Sequence, residues 1–370
     1  MKIKFEIVLI LFIMVVFLLF CGCTSQNNKS SEKEFVPFSY PPADIEKVNY
    51  IIPMGRMRGE HVAPVDHQYY VASYSVEEEA DKIVEVYSPG NGVITSIQYM
   101  EYKFNEYETD EDYRIVIEHS TSVSSIFIHI DELASVIAEF APETFDYKKV
   151  EIPVDAGEII GFYRGWLDYS VVDEDVELAF INPDSYIWEP WKIHTPDPFN
   201  YFNEEIKTDL IDLCLRTVEP LGGKIDYDID GRLVGTWFDE NYNDEIQWEL
   251  GCISIAYDNI NPDHIIISFG SYDGNPSQFG VKNNSPDPAD VNVDSGIIKY
   301  ELVNFDYYNG TDVWDGKFFE KNLDTKNDDL VQGVVLFKLI ENERLKVEIF
   351  PGKTSEEIDG FSDDFYIYKR

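Results

Sequence analysis

The sequence predicts an exported, mainly β protein: two β units joined by a helix. Three observations predict this. Short apolar runs recur between Gly, Pro, Asn and Asp clusters, only two stretches have a helical period, and an apolar segment lies near the start. Of the 370 residues, 44% are hydrophobic and 15% aromatic, enough to bury a core and to exclude global disorder. Seventy Asp and Glu stand against 29 Lys and Arg, a formal net charge of -41. A surface so acidic repels phosphate backbones, so nucleic acid is excluded as the main partner.

Residues 1–22 read as a signal peptide. Lys2 and Lys4 precede an apolar run from Ile7 to Phe20, which at 1.5 Å per residue reaches only about 21 Å, short of a membrane's hydrocarbon core. Gly22-Cys23 follows and resembles a lipobox, which implies that Cys23 is lipidated and that the chain is held on the outer face of the cell membrane. Residues 23–47, with Asn, Ser, Lys and Pro in quantity, are expected to form a flexible tether.

The first β unit is expected over 48–200, with strands at Gln68–Tyr74, Ile83–Tyr87, Gly92–Tyr99, Arg114–Glu118, Ser125–Ile130 and Glu158–Tyr163. A helix is expected at Glu132–Phe140 after Asp131 as N-cap. Residues 201–223 form a helix and linker. Ile206, Leu210, Ile211, Leu213 and Cys214 make one stripe of a helix over Asn203–Arg216, and Leu221-Gly222-Gly223 follows it. Over 224–370 the predicted strands are Leu233–Phe238, Gln247–Tyr257, His264–Phe269, Gly296–Phe305, Gly333–Leu339, Leu345–Phe350 and Phe365–Tyr368. Many short strands without a helix predict an antiparallel barrel or sandwich.

Four segments of the first unit carry a further signal. They are Gly59-Glu60-His61-Val62-Ala63-Pro64-Val65-Asp66-His67, Ser88-Pro89-Gly90-Asn91-Gly92-Val93, Ile126-Phe127-Ile128-His129-Ile130, and Val154-Asp155-Ala156-Gly157-Glu158-Ile159-Ile160-Gly161. In kind and order they resemble lysostaphin-type zinc endopeptidases, which cut peptide cross-links in bacterial walls. The resemblance implies a duplicated hybrid motif, a barrel-sandwich hybrid of strands. It also implies zinc on His61 and Asp66, with His67 as the alternative to Asp66, and His129 as the catalytic histidine. The family's closing His-x-His is absent; the best register sets Asp168 at the third ligand position and Trp166 at the missing base. A second register, Glu177–Ile181, leaves no ligand there. Zinc needs three protein ligands and an open position for water.

The leading reading is therefore a degenerate peptidase-like unit that binds a peptide or cell-surface polymer without cutting it. The alternative is a zinc hydrolase with a His/Asp/Asp ligand set. A third reading is small-ligand binding inside the C-terminal barrel, since Gly235-Thr236-Trp237 resembles the opening of lipocalin-like barrels. Asp226, Asp228 and Asp230 match the start of a calcium loop, with Trp237 where an EF-hand needs Glu. Cys214 and Cys252 form a candidate disulfide, the alternative being two buried thiols. Asn28, Asn283 and Asn309 begin glycosylation sequons.

Overall fold

Ten strands build the first half: β1 (Tyr50–Ile52), β2 (Gln68–Val71), β3 (Val84–Tyr87), β4 (Gly92–Tyr99), β5 (Tyr113–Glu118), β6 (Val123–Ile130), β7 (Glu132–Leu133), β8 (Tyr147–Val154), β9 (Ile159–Tyr163) and β10 (Trp166–Asp173). The structure is a computed structural model that describes residues 35–72, 83–100, 111–242, 248–341 and 343–370. Seven strands make an antiparallel sheet in the order β1-β2-β10-β6-β5-β4-β8, and β3-β9-β7 make a smaller one. Alternation directs Ile94, Ile115, Ile117, Phe127, Leu167 and Tyr169 from the large sheet against Val84, Val86, Ile160 and Tyr163 from the small one. The first unit is thus a two-layered β structure.

The second half holds nine strands: β11 (Gly235–Asp239), β12 (Cys252–Tyr257), β13 (Ile265–Tyr272), β14 (Asn275–Val281), β15 (Ile298–Asn309), β16 (Asp312–Val313), β17 (Asp324–Ile340), β18 (Arg344–Pro351) and β19 (Tyr366–Lys369). The order β14-β13-β12-β11-β19-β18-β17-β15 closes through a β14–β15 pairing into an eight-stranded, up-and-down antiparallel barrel. Eight strands leave an interior just wide enough for side chains. Trp237, Ile255, Ile267, Phe269, Leu302, Val335 and Phe337 pack in it.

Several expectations are corrected here. Residues 35–47 are packed rather than free: Phe38 and Ala43 are fully buried, and the Phe38 amide donates to Tyr201 O. The tether can therefore extend only to residue 34. Glu132 and Leu133 join β9 as β7, so the helix expected there shrinks to α1 (Ser135–Ala138), and Asp131 accepts the Arg164 amide instead of capping it. The second helix, α2 (Glu204–Leu213), is capped by Asn203, whose side chain accepts the Ile206 amide. It ends early because Cys214 turns extended and bridges Ile51, with the Leu215 amide donating to Ile51 O.

The Gly222-Gly223 linker is rigid. A Cβ on Gly222 would lie 1.8 Å from Asp197 Oδ1, and Gly223 has φ +103. No L side chain fits the first position or readily adopts the second. Cys214 and Cys252 are free and buried, their thiols donating to Leu221 O and Trp248 O respectively, so the candidate disulfide is absent. The calcium loop also fails. Asp226 accepts the Ala179 amide and the Lys224 ammonium, and Asp228 accepts the Thr236 and Ile181 amides, which leaves those carboxylates committed to the fold. Asp230 is exposed, as are Asn283 and Asn309. Cys23, Asn28 and the apolar run lie outside the described residues, among which no helix is long and apolar enough to cross a membrane.

Arg370 locks the barrel. Its side chain is fully buried over the Trp237 ring at 4.1 Å, donates to Ile229 O and Arg232 O, and pairs with Glu343 at 2.8 Å. Removing it strands a carboxylate and buried carbonyls. Arg370→Ala should lower unfolding free energy by about 3–5 kcal/mol, measured by urea denaturation; a loss below about 1 kcal/mol would contradict this role.

Candidate functional site

Strand register brings three of the sequence-predicted residues together. On β10, Asp168 stands opposite Tyr69 of β2 and Ile128 of β6. His67 precedes Tyr69 by two residues and so lies diagonally from Asp168 on the same face. His67 Nε2 is 3.2 Å from Asp168 Oδ2. The contact suits an ion pair but is poorly aligned for a hydrogen bond, since His67 Nε2 and Asp168 Oδ1 are both buried without a hydrogen-bond partner.

His129 reaches the same carboxylate through a backbone irregularity. Strand alternation would turn His129 to the core side, where Phe127 points. Yet Phe127 and Ile130 both lie in the core, three residues apart. Between them Arg114 of β5 opposes two residues, Ile128 and His129, which makes a β-bulge. His129 has φ 70, in the left-handed region. This strained residue turns its ring outward, placing Nε2 3.5 Å from Asp168 Oδ2 and Nδ1 3.0 Å from Asp112 Oδ2.

Asp66 closes the other end. Adjacent positions of a strand would face opposite sides, but Asp66 and His67 occupy a bend before β2. Asp66 Oδ1 lies 3.2 Å from His67 Nδ1, and its Oδ2 accepts Trp191 Nε1–H at 2.8 Å. The result is an alternating chain, Asp66–His67–Asp168–His129–Asp112. Sequence reading missed Asp112, which has no motif, and Trp191, which lies 125 residues from Asp66. His61 remains outside: it sits exposed at the rim, its ring centroid 5.8 Å from that of His67. His119, which follows β5, bonds Ser125 Oγ at 2.6 Å and packs on Phe38.

Burial and charge oppose each other here. Burial alone would lower the pKa of His67 and His129. The Asp168 charge, with hydrogen bonds to Asp66 and Asp112, outweighs it and raises both. Burial would raise Asp66, but His67, Lys192 and Trp191 hold it well below the usual carboxylate range. Beside them Glu249 accepts the Val62 and Ala63 amides, and burial pushes it up to about 7. The network therefore favours the charged form of both rings.

Both Asp66 oxygens are already in hydrogen bonds, and among the described residues no three His, Cys, Asp or Glu groups are placed to hold one ion.

The pH dependence of stability follows. His67 and His129 have folded pKa values above their unfolded one near 6.5, so their contribution is complete below that value and is lost as pH rises through the folded values. Asp66 acts oppositely and loses its contribution as pH falls below about 4. The melting temperature should rise on acidification from alkaline pH to about 6 and fall again below about 4. Asp168→Asn should flatten the first limb; an unchanged profile in that variant would refute the coupling. No protein-family model and no curated protein matches this chain, so its functional reading rests on this geometry and on the sequence motifs.

Proposed function

We propose that the chain is an exported surface protein, anchored through lipid on Cys23, whose first unit is a degenerate lysostaphin-type module. In this reading the unit is a duplicated hybrid motif, the barrel is lipocalin-like, and the module binds a peptide or glycan without cleaving it. One observation carries the proposal: His129, which the resemblance sets at the catalytic position, and His67, the alternative ligand, are held in a buried ion-pair chain. His67, Asp168, Asp66 and Asp112 are each less than a tenth exposed, and Trp191 closes over Asp66. A protonated, paired imidazole can neither ligate a metal nor accept a proton from attacking water.

A second reading, the zinc hydrolase with altered ligands, has one observation in its favour. His67 Nε2 and Asp168 Oδ1 are buried atoms without hydrogen-bond partners, which is the kind of donor pair an ion would satisfy.

Metal analysis of the purified full chain separates the two. The module should contain far less than one zinc per chain and should leave oligoglycine and oligoalanine peptides intact, with or without added zinc. One zinc per chain, lost in His67→Ala and accompanied by cleavage, would establish the hydrolase instead. The anchor has its own check: Cys23→Ser should abolish incorporation of labelled fatty acid, and retained labelling would refute lipidation at that residue.

A further inference from the structure

Acidic residues outnumber basic ones by 70 to 29 in this chain, yet two neighbouring arginines lack carboxylate partners among the described residues. Among those residues Arg56 and Arg58 form no ion pair, and neither guanidinium makes a side-chain hydrogen bond. Both line a cavity of about 380 Å³ between the segment that follows β1 and the barrel, and both also line a second one of about 200 Å³ that reaches Trp166 of β10.

The arginines are held in place by their surroundings. Met57 between them is buried against Ala256 and Ile266 on the outer side of the barrel. Gln278 of β14 pins the next turn twice, accepting the Gly59 amide at 3.0 Å and donating to Gly59 O at 3.1 Å. The Arg56 guanidinium lies 5.3 Å from the Tyr69 ring centroid and 5.0 Å from that of Trp166. Stacking of this kind fixes the planar fork without using its N–H donors.

The neighbouring acids do not neutralise it. Asp258 accepts the Ile260 and Asn261 amides and the Tyr307 hydroxyl, so its oxygens are committed. Asp306 and Asp328 line the cavity but are exposed and make no ion pair with either arginine.

We propose that this cleft binds a carboxylate-bearing ligand, its carboxylate on Arg56 and Arg58. The stacked Arg56 fork, with Arg58 two residues on, supplies charge-assisted hydrogen bonds that suit a carboxylate. Trp166 and Trp314 line the cleft beside them and give the ligand's apolar part a surface, while Asp306 accepts its N–H or O–H groups. Two sources share this chemistry, the C-terminus of a peptide and a sugar acid. The inference builds on the reading of the chain as a binding module, and its test is separate: a module that holds its ligand elsewhere would remain zinc-free and bind, but the arginine variants would not weaken that binding.

Tryptophan fluorescence titration of the full chain in detergent provides the test. The probes are N-acetyl-alanyl-alanine, its C-terminal amide, galacturonate and its methyl ester. At least one acid should bind about tenfold more tightly than its neutral counterpart, and Arg56→Gln and Arg58→Gln should each weaken that acid about tenfold. Preference for the peptide acid identifies a peptide C-terminus, preference for galacturonate a sugar acid, and equal binding of both shows that the carboxylate alone is read. Arg58 is exposed, so its variant decides the matter if Arg56→Gln destabilises the fold. Absence of binding by both acids, equal binding of the neutral probes, or unchanged affinity in Arg58→Gln would overturn the proposal.

Discussion

The rest of the structure depends on covering the outer face of the seven-stranded sheet. Along β1 and β2, Ile51 and Tyr70 point to the inner core, while Tyr50, Ile52, Tyr69 and Val71 point the other way into a second one. Strands apolar on both faces must be covered on both. Leu215, Ile260 and Leu323, with Tyr307 and Trp314 packed beside them, supply the outer cover. Burial of each large side chain contributes about 1.5–3 kcal/mol, so the two β units are held together by apolar contact. The parallel bridges Ile51–Cys214 and Met54–Gly223 run the connecting segment along the same edge.

Covering that face removes water from the polar groups on it. Asp168 lies on β10 between Leu167 and Tyr169, which belong to the inner core, and so faces outward beneath the cover. A buried carboxylate requires partners. His67 supplies one through the strand diagonal and His129 the other through the bulge, while Asp66 and Asp112 satisfy the far side of each ring. The same enclosure leaves Asp66, His67, Asp112 and Asp168 each less than a tenth exposed. Where the cover thins, at the seam beside Trp166, Arg56 stays half-buried and its fork remains open.

Much of the strand pattern was legible because it obeys simple alternation. The bounds of β4 agree with the prediction at both ends, and β5, β6 and β9 agree within two residues. The failures have physical causes. Strand β8 was missed because it is a mostly exposed sheet edge bearing Lys148, Lys149 and Pro153, residues that blunt an edge and erase periodicity. The expected α1 region was misread because the apolar pattern around Leu133 serves a β9 pairing rather than a helix face. The site was legible in part: Asp66, His67, Asp168 and His129 were all named, with ligand roles given to His61, Asp66 and Asp168 on the resemblance. What no motif carries is the bend at Asp66 and the bulge at His129 that join four of these side chains in one network.

Composition and periodicity decide the β class, because strands follow from local alternation and turn chemistry. The partners of each charged group come from elsewhere. Trp191 reaches Asp66 across 125 residues, and Glu249 reaches Val62 across 187. Such pairings depend on which faces are enclosed together, and enclosure is a property of packed layers, not of any short stretch of chain. Whether a histidine ends as an exposed ligand or as a buried counter-ion is therefore settled by what covers it.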